Sequence, residues 1–454
     1  MKFLGVEELD GICHDAVKAK AWASAKTKLR KLLESQLNSR NLFQSVNECV
    51  MPVISYSFGI VRWLESDVKE IDIKIRKMLH MYRVFEIKSD IDRLYLPRRS
   101  GGRGLLSVWD VFQCTISRIA HYLANSQNEI LMVCAKIDNS SLYSVQKKAK
   151  KLFSSNGTQL PENLESKSLL AQARVVACTM RESIAGMRAL SYKEKPQHGA
   201  YMKLLEGHQL NLKKSFLWMS KCHIDPSLES YICAAQELAL FTRYHERHIL
   251  KSRQDNACRI CSKEPETIFH ILSGCGVLAK REYFDRHNAV CKYVHYEKLR
   301  HFAIPCGANW FVHAPRDVML TSCVEVIYDQ VLTTDREVGA NRPDIVVKDR
   351  LSKKTYIIDI SCPCDVNVVK KEAEKISKYS VLKRELTRMW GGECLIVPVV
   401  IGGLGAVSNE TELHMEKIPG NVSLAMCQKI TLVGSKKILS GVLGRRDNLV
   451  VDDV

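Results

Sequence analysis

The sequence predicts a multidomain protein with a mostly helical N-terminal half, a short cysteine-rich segment and a C-terminal α/β region. Three observations support this architecture. The chain has 454 residues, which is enough for about three domains. Apolar residues recur at helical spacing through most of the first 250 positions. Residues 315–410 change to α/β patterning, and three cysteines and a histidine cluster just before them, within 258–275.

The composition is that of a globular protein with a basic surface. The chain is 46% hydrophobic and carries 67 Lys and Arg against 50 Asp and Glu, a net charge of +17. Such a surplus favours a polyanionic partner, nucleic acid rather than an anionic membrane. No stretch is apolar and long enough to span a membrane, and no secretory signal is visible. The 17 cysteines therefore indicate a reducing compartment rather than a disulfide scaffold.

Residues 1–125 read as helical after a short extended start, and residues 126–250 as a basic helical linker. The predicted elements are an extended Phe3–Val6, a basic helix over Ala16–Leu37, an apolar helix over Val46–Trp63 that Pro52 interrupts or kinks, and a helix over Asp67–Tyr82. Within the linker, only a loop at Ser154–Pro161 stands out. We find no chemistry in the linker.

A glycine-rich turn follows these helices. Gly101, Gly102 and Gly104 demand unusual backbone angles or a close approach of two chain segments. Three neighbouring cations, Arg98, Arg99 and Arg103, are candidates for phosphate contacts. The alternative is an ordinary basic turn.

The cysteine-rich segment has the spacing of a zinc site. Cys258 and Cys261 form a Cys-x2-Cys knuckle, and His270 and Cys275 follow about a helical turn apart. Four soft ligands in this order can close a tetrahedron around Zn²⁺, whereas the alternative is chance clustering in a cysteine-rich chain. So small a module cannot bury its own core, so the metal would supply folding energy and the site would be structural.

The C-terminal region predicts a sheet flanked by helices. The expected elements are a helix over Asp317–Val331, a hairpin of Pro343–Val347 and Tyr356–Ile360 joined by the polar turn Lys348–Lys354, a long helix over Val366–Trp390, and a buried strand over Cys394–Ile401. This order places two carboxylates, Asp344 and Asp359, at the same end of the hairpin.

Two carboxylates in an otherwise apolar sheet need a partner, because an unpaired buried charge is unfavourable. A shared Mg²⁺ or Mn²⁺ would provide one, and would lower the pKa of a bound water and neutralise charge on a scissile phosphate. Lys375 and Lys378 share a face of the following helix with Tyr379, and that face could reach back to Asp344 and Asp359. The alternative is a half-buried hairpin followed by a basic surface helix.

This arrangement resembles the PD-(D/E)xK nuclease core of the restriction-like endonuclease in site-specific non-LTR retrotransposons. In that family a CCHC zinc knuckle, an Arg-His-Asn/Asp motif and a Pro-Asp…Asp hairpin occur in this order. The matching residues are Cys258, Cys261, His270 and Cys275, then Arg286, His287 and Asn288, then Pro343, Asp344 and Asp359. As polar residues on an expected helix, Arg286, His287 and Asn288 also indicate DNA contact or docking, and the alternative is an ordinary helix surface.

The sequence departs from the general pattern at Ser361, where many such nucleases have lysine. In the retrotransposon branch the lysine lies on the following helix, which implies Lys375 or Lys378. An additional acid on the first helix is common in the family, and Glu325 is the candidate here. The resemblance implies an αβββαβ core for residues 310–454.

The resemblance extends to the N-terminal region. Phe3–Val6 is similar to the primer-grip segment of a reverse transcriptase, and the helices up to Gly104 are similar to its thumb. No polymerase Asp-Asp motif is present, so the chain is expected to be the C-terminal part of a larger polyprotein or a partial gene copy. The expected domains are a thumb-like remnant over 1–125, the linker over 126–250, the zinc knuckle over 251–300 and the nuclease over 310–454.

The resemblance implies a Mg²⁺-dependent endonuclease. In the intact family, nicking of target DNA frees a 3′-OH that primes reverse transcription of the element RNA. The expected partners are target DNA, element RNA and other copies of the polyprotein, and the protein would be made in the cytoplasm and act in the nucleus. Two alternatives remain: a non-catalytic nucleic-acid-binding relic or domesticated adaptor, and a zinc-dependent hydrolase. The hydrolase is disfavoured because four protein ligands leave zinc no open position.

Overall fold

The computed structural model describes residues 2–3, 6–7, 11–164 and 167–444. The chain forms two compact units. Unit 1 comprises residues 1–196 and 223–230, and unit 2 comprises 197–222 and 231–454. The expected boundary at residue 125 is therefore not a division between units. The segments expected as zinc knuckle and nuclease belong to one unit.

The described residues of unit 1 form helices, apart from two antiparallel strands of two residues each near its start. Its elements are β1 (Lys2–Phe3), β2 (Val6–Glu7), α1 (His14–Leu33), α2 (Ser39–Cys49), α3 (Met51–Ser55), α4 (Glu65–Met81), α5 (Ile91–Tyr95), α6 (Val108–Ala124), α7 (Glu129–Ser140), α8 (Val145–Ser155) and α9 (Leu169–Glu194). The helix predicted over Asp67–Tyr82 is confirmed as α4, and its residues Val68, Ile71, Ile75 and Leu79 are buried in the core of this unit.

The interruption expected at Pro52 is confirmed, but the helix expected to reach Trp63 ends at Ser55. α2 ends at Cys49 and α3 begins at Met51, with Pro52 in its first turn. Proline lacks the backbone N–H that a helix interior needs, but the first turn leaves that N–H unused. Of the extended start Phe3–Val6, the intervening Leu4 and Gly5 lie outside the described residues.

The glycine-rich turn of unit 1 is confirmed as a site of close backbone approach. Gly101 and Gly104 have φ values of 76° and 77°. A Cβ on Gly102 would lie 2.1 Å from the Leu96 carbonyl oxygen, which no side chain could tolerate. The Gly104 N–H donates to that same carbonyl at 2.9 Å, so the turn folds tightly back on α5 and its exit.

Unit 2 combines helices with one five-stranded sheet. Its helices are α10 (Ala200–Gly207), α11 (Leu212–Ser215), α12 (Leu217–Lys221), α14 (Arg243–His248), α15 (Glu282–His301), α16 (Val368–Lys378), α17 (Ser380–Trp390), α18 (Thr411–Glu416) and α19 (Leu424–Leu443); α13 (Pro226–Gln236) begins in the residues assigned to unit 1. Its strands are β3 (Val318–Leu320), β4 (Val324–Tyr328), β5 (Ile345–Asp349), β6 (Lys354–Ser361) and β7 (Glu393–Val400).

The strand order of this sheet is the same as the chain order, β3-β4-β5-β6-β7. Neighbouring strands are antiparallel except β6 and β7, which are parallel. A parallel pair needs a crossover connection, and α16 and α17 supply it. The predicted hairpin is thus confirmed as β5 and β6, and the predicted buried strand as β7.

Helices cover both faces of the sheet. On one face, Val347 and Ile358 pack in a common core with Val290 of α15 and Ile430 of α19. On the other face, Val346 and Ile357 pack with Tyr379 and Leu382 from the crossover. Because strand residues alternate between faces, odd-numbered positions of β6 face the crossover helices and even-numbered positions face α15.

Two predicted helices and the αβββαβ order are wrong. Residues Asp317–Val331 form β3 and β4, because Val324, Val326 and Ile327 make a β-branched run that packs into the sheet. The long helix over Val366–Trp390 is two helices, α16 and α17, which break at Tyr379. From α15 to β7 the order is therefore one helix, four strands, two helices and one strand, and α18 and α19 follow. Within the described residues, no helix is both long and apolar enough to cross a membrane.

Candidate active site and metal centre

The β5–β6 hairpin brings Asp344 and Asp359 together. Ile345 pairs with Ile358, so the next positions outward in this antiparallel register are Asp344 and Asp359. The Ile360 N–H donates to Asp344 Oδ2 at 2.6 Å, which fixes the Asp344 carboxylate against β6. Two residues 15 positions apart thus meet because the turn after β5 sets the register. The juxtaposition predicted from the sequence is confirmed.

The crossover helices hold the Asp359 carboxylate. Asp359 is only 2% exposed, and its Oδ1 accepts a 2.6 Å hydrogen bond from the Tyr379 hydroxyl. Its Oδ2 forms an ion pair with the Lys375 ammonium. Lys375 and Tyr379 are four residues apart at the end of α16, which places both side chains on the face that covers β6.

The two candidate lysines have different partners. Lys375 contacts the Asp359 carboxylate directly, whereas the Lys378 ammonium donates to the Tyr379 hydroxyl at 2.8 Å. Lys378 therefore acts on Asp359 only through Tyr379. Sequence reasoning assigned Tyr379 no role of its own, although its spacing of four residues from Lys375 indicates the shared face.

The charges of Asp344 and Lys375 act on the Asp359 carboxylate in opposite directions. Burial, together with the negative charge of Asp344, raises the pKa of Asp359, and Lys375 and Tyr379 only partly offset this effect. Two neighbouring carboxylates, one of them buried, are the hard oxygen ligands that Mg²⁺ and Mn²⁺ prefer. Asp344 and Asp359 therefore offer oxygen atoms that could hold a divalent cation.

His287 lies beside Asp344. It projects from α15 with its Nε2 3.1 Å from Asp344 Oδ2 and its Nδ1 3.0 Å from Asn288 Oδ1. Burial lowers the pKa of His287, but the Asp344 carboxylate more than compensates and the net shift is upward. The structure thus places this part of the Arg-His-Asn segment at the carboxylate pair. Cys291, one turn further along α15, is a neighbour that the sequence did not single out.

Arg286 has a different role from the predicted nucleic-acid contact. Its side chain is 2% exposed, and its guanidinium donates to the carbonyl oxygens of Leu272 and Cys362, each at 2.9 Å, and to Ser435 Oγ at 3.1 Å. A buried guanidinium with these partners holds α15, α19 and the end of β6 in place. The predicted nucleic-acid contact of Arg286 is therefore wrong, because this side chain is not accessible to a ligand in solvent.

Glu325 is not the helical acid that was expected. It lies on strand β4, opposite Lys348 in β5, and its carboxylate pairs with Arg350 at 3.4 Å. That register places Glu325 four residue pairs along the β4–β5 pairing from Asp344. The assignment was wrong because it assumed a helix where the β-branched residues form a strand.

The four predicted zinc ligands converge. One ligand atom from each of Cys258, Cys261, His270 and Cys275 lies within 4.8 Å of the others. Cys258 and Cys275 are fully buried. A pairing of Ala257 with Pro265 closes the knuckle that holds Cys258 and Cys261. A π-helical turn over His270–Gly274 begins at the third ligand and leads directly into the fourth, Cys275. This Cys/His cluster is compatible with a structural zinc.

Local backbone groups prepare the knuckle for a metal. Donation from the Lys263 and Glu264 N–H groups lowers the pKa of Cys261 to about 6, which favours the thiolate that binds zinc. The Tyr283 hydroxyl donates to the carbonyl oxygen of Ile271 at 2.8 Å and accepts from the Cys275 N–H at 3.0 Å. These contacts orient the turn between His270 and Cys275.

The arginines of the glycine-rich turn in unit 1 are divided between two roles. Arg103 is 2% exposed and donates to the buried Glu229 carboxylate at 2.9 Å, and Arg98 pairs with the same carboxylate. The phosphate contact predicted for Arg98 and Arg103 is wrong, because both cations neutralise the buried Glu229 carboxylate. Arg99 is exposed, so of the three only its predicted contact remains open.

The chain matches no protein-family model and no curated protein. Its chemistry is therefore inferred from the arrangement of its own residues.

Proposed function

We propose that this protein is a metal-dependent DNA endonuclease of the restriction-like type that its motifs resemble. The supporting observation is the Asp344–Asp359 pair at the end of the β5–β6 hairpin, with Lys375 on the Asp359 carboxylate. A pair of acids, one of them buried, with an adjacent lysine is suited to phosphodiester hydrolysis, which needs a divalent cation and a positive group near the attacking water.

Asp344 and Asp359 would hold Mg²⁺ or Mn²⁺, which when bound lowers the pKa of a water ligand and neutralises charge on the phosphate. Tyr379 orients Asp359 through the bond to Oδ1, and the Ile360 N–H and His287 orient Asp344. Lys375 is the cation closest to the acids, and it stabilises negative charge that develops on the phosphate oxygens. Lys378 supports Tyr379.

The knuckle would contribute structure rather than catalysis. Its four ligand residues, Cys258, Cys261, His270 and Cys275, are enough to complete a tetrahedral Zn²⁺ site without an open position. The net charge of +17 supports a nucleic-acid partner. By its resemblance, the protein would nick chromosomal target DNA in the nucleus so that a 3′-OH primes copying of the element RNA.

A plasmid-nicking assay tests this proposal. Wild-type protein and Glu325→Gln, a matched change of an acid on the neighbouring strand, should relax supercoiled plasmid in the presence of Mg²⁺ or Mn²⁺. Asp344→Ala should lose that activity while still binding DNA. Equal nicking by wild type and Asp344→Ala would overturn the two-carboxylate proposal. DNA binding without nicking by any of the three proteins would favour a non-catalytic nucleic-acid-binding protein.

A further inference from the structure

We infer that His287, Cys291 and Asp344 form a second transition-metal site, distinct from the zinc knuckle, that takes a d-block divalent cation such as Zn²⁺. One ligand atom from each residue lies within 4.8 Å of the other two. The Cys291 sulfur is 3.6 Å from each imidazole nitrogen of His287, and His287 Nε2 is 3.1 Å from Asp344 Oδ2.

The local structure brings the three ligand residues close together. His287 and Cys291 are four residues apart on α15, so both side chains project from one face of the helix. Asp344 immediately precedes β5, and the Ile360 N–H holds its carboxylate in place. Two ligands one helical turn apart and a third from a strand end are a common way to build a metal site.

The hydrogen bond at the far side of the imidazole supports a ligand role for His287. Asn288 Oδ1 lies 3.0 Å from Nδ1 and can accept only from a protonated Nδ1. In the protonated ring Nε2 donates to the Asp344 carboxylate, and a metal ion bound to Nε2 would take the place of that proton. Metal-binding histidines are typically oriented by such a bond from their second nitrogen.

The donor set determines which cation fits. One sulfur, one imidazole nitrogen and one carboxylate oxygen make a borderline-soft set that prefers Zn²⁺ or Co²⁺ to Mg²⁺. Of the three ligand residues, His287 also lines a cavity of about 350 Å³, together with Ser361, Asn367 and Lys371. On binding, the buried Cys291 thiol would release its proton to solvent.

This site shares Asp344 with the proposed nuclease centre. Resting on the proposed function, the inference adds a form of regulation: zinc at His287 and Cys291 occupies Asp344 and competes with Mg²⁺. Zinc should therefore inhibit nicking in a reaction that already contains Mg²⁺.

Zinc stoichiometry tests the site without depending on activity. After equilibrium dialysis against a buffered Zn²⁺ solution, the wild-type chain should hold two zinc ions. His287→Gln and Cys291→Ser should each hold one zinc ion. The control is Cys394→Ser, which changes a buried cysteine elsewhere in the same unit and should still hold two. Circular dichroism of each variant shows that it is folded. One zinc per wild-type chain, or two in Cys291→Ser, would overturn the inference.

A nicking assay then separates this inference from the proposed function. Zinc should inhibit the wild-type protein, and Cys291→Ser should need a zinc concentration higher by about tenfold or more, since even outer-shell changes weaken metal binding 10- to 100-fold. Two zinc ions per chain without any nicking would uphold the site and reject the nuclease. Nicking with only one zinc per chain would reject the second metal site and uphold the nuclease.

Discussion

The Tyr379 hydroxyl donates a 2.6 Å hydrogen bond to Oδ1 of Asp359, which connects the break between α16 and α17 to the end of strand β6. Tyr379 is itself fully buried among the apolar residues that cover this face of the sheet. The packing of the crossover helices thus sets the orientation of a carboxylate in the proposed active site.

Tyr379→Phe should shift the acid limb of the nicking profile to higher pH. Tyr379 lowers the pKa of Asp359 against the upward effect of burial and of Asp344, so its removal raises that pKa further. Nicking needs ionised Asp359, and activity falls as the pH drops through its pKa. A hydrogen bond to a charged group is worth about 1.5–3 kcal/mol, equivalent to a shift of about 1–2 pH units.

The control for this profile is Tyr356→Phe. Tyr356 lies on β6 as well, but on the opposite face of the sheet, so its substitution should leave the pH dependence unchanged. Profiles that coincide for Tyr379→Phe and wild type would show that the Tyr379 hydroxyl does not tune Asp359.

Lys375→Ala should reduce the nicking rate far more than Lys378→Ala does. Lys375 contacts the Asp359 carboxylate, whereas Lys378 reaches it only through the Tyr379 hydroxyl. Loss of one charge-stabilising group in an active site lowers the rate by about 10²–10³-fold, and we expect less than about tenfold for Lys378. Single-turnover rates at saturating Mg²⁺ would measure both, and equal losses would contradict the assignment of Lys375.

Removal of zinc should lower the melting temperature of the protein, and added Zn²⁺ should restore it. The knuckle consists of short turns, and in small zinc modules the metal supplies about 10–16 kcal/mol of apparent binding free energy. Cys261→Ser should melt early even with zinc present, whereas Cys323→Ser, a half-exposed cysteine outside the cluster, should not. A melting curve that chelation leaves unchanged would count against a structural metal.

Glu229→Gln should destabilise unit 1 by about 3–5 kcal/mol, because it leaves the cations of Arg98 and Arg103 without their buried acid. Burial raises the pKa of Glu229, but the two arginines outweigh it and hold the pKa below its usual value. The ion pairs therefore stabilise the fold above the unfolded-state pKa, and this stability is lost as the pH falls through the folded-state pKa. Urea unfolding at neutral and acidic pH would measure the difference.

Arg99→Ala serves as the contrasting variant in the same turn. Its side chain is exposed, so the free energy of unfolding should change by less than about 0.5 kcal/mol. If Arg99 contacts a nucleic-acid backbone, the salt dependence of DNA or RNA binding should decrease by about one phosphate contact. An unchanged salt slope would leave the turn without a nucleic-acid role.

The sequence was sufficient where local spacing determines structure. The hairpin brings Asp344 to Asp359, and the knuckle gathers four ligands within 258–275, because each set lies in a short segment. It failed where a partner is remote. Arg103 binds an acid 126 residues away and Arg286 a serine 149 residues away. No local pattern distinguishes such buried arginines from surface cations.

The strand at Glu325 shows a second kind of failure. Helical periodicity and a β-branched run compete over 317–331, and pairing with β5 decides in favour of the strand. Cys291 was missed because a lone cysteine on a helix reads as a small core residue. Only the approach of Asp344 to α15 gives it a possible function.

The most direct test of the central claim is the single-turnover nicking rate of Asp359→Asn at saturating Mg²⁺. Asparagine keeps the shape of the side chain but removes its negative charge. That charge pairs with Lys375 and would bind the cation. We expect folded protein with a rate reduced by about 10²–10³-fold relative to wild type. A folded Asp359→Asn variant that nicks plasmid at the wild-type rate would contradict the claim that Asp344 and Asp359 form a metal-dependent nuclease centre.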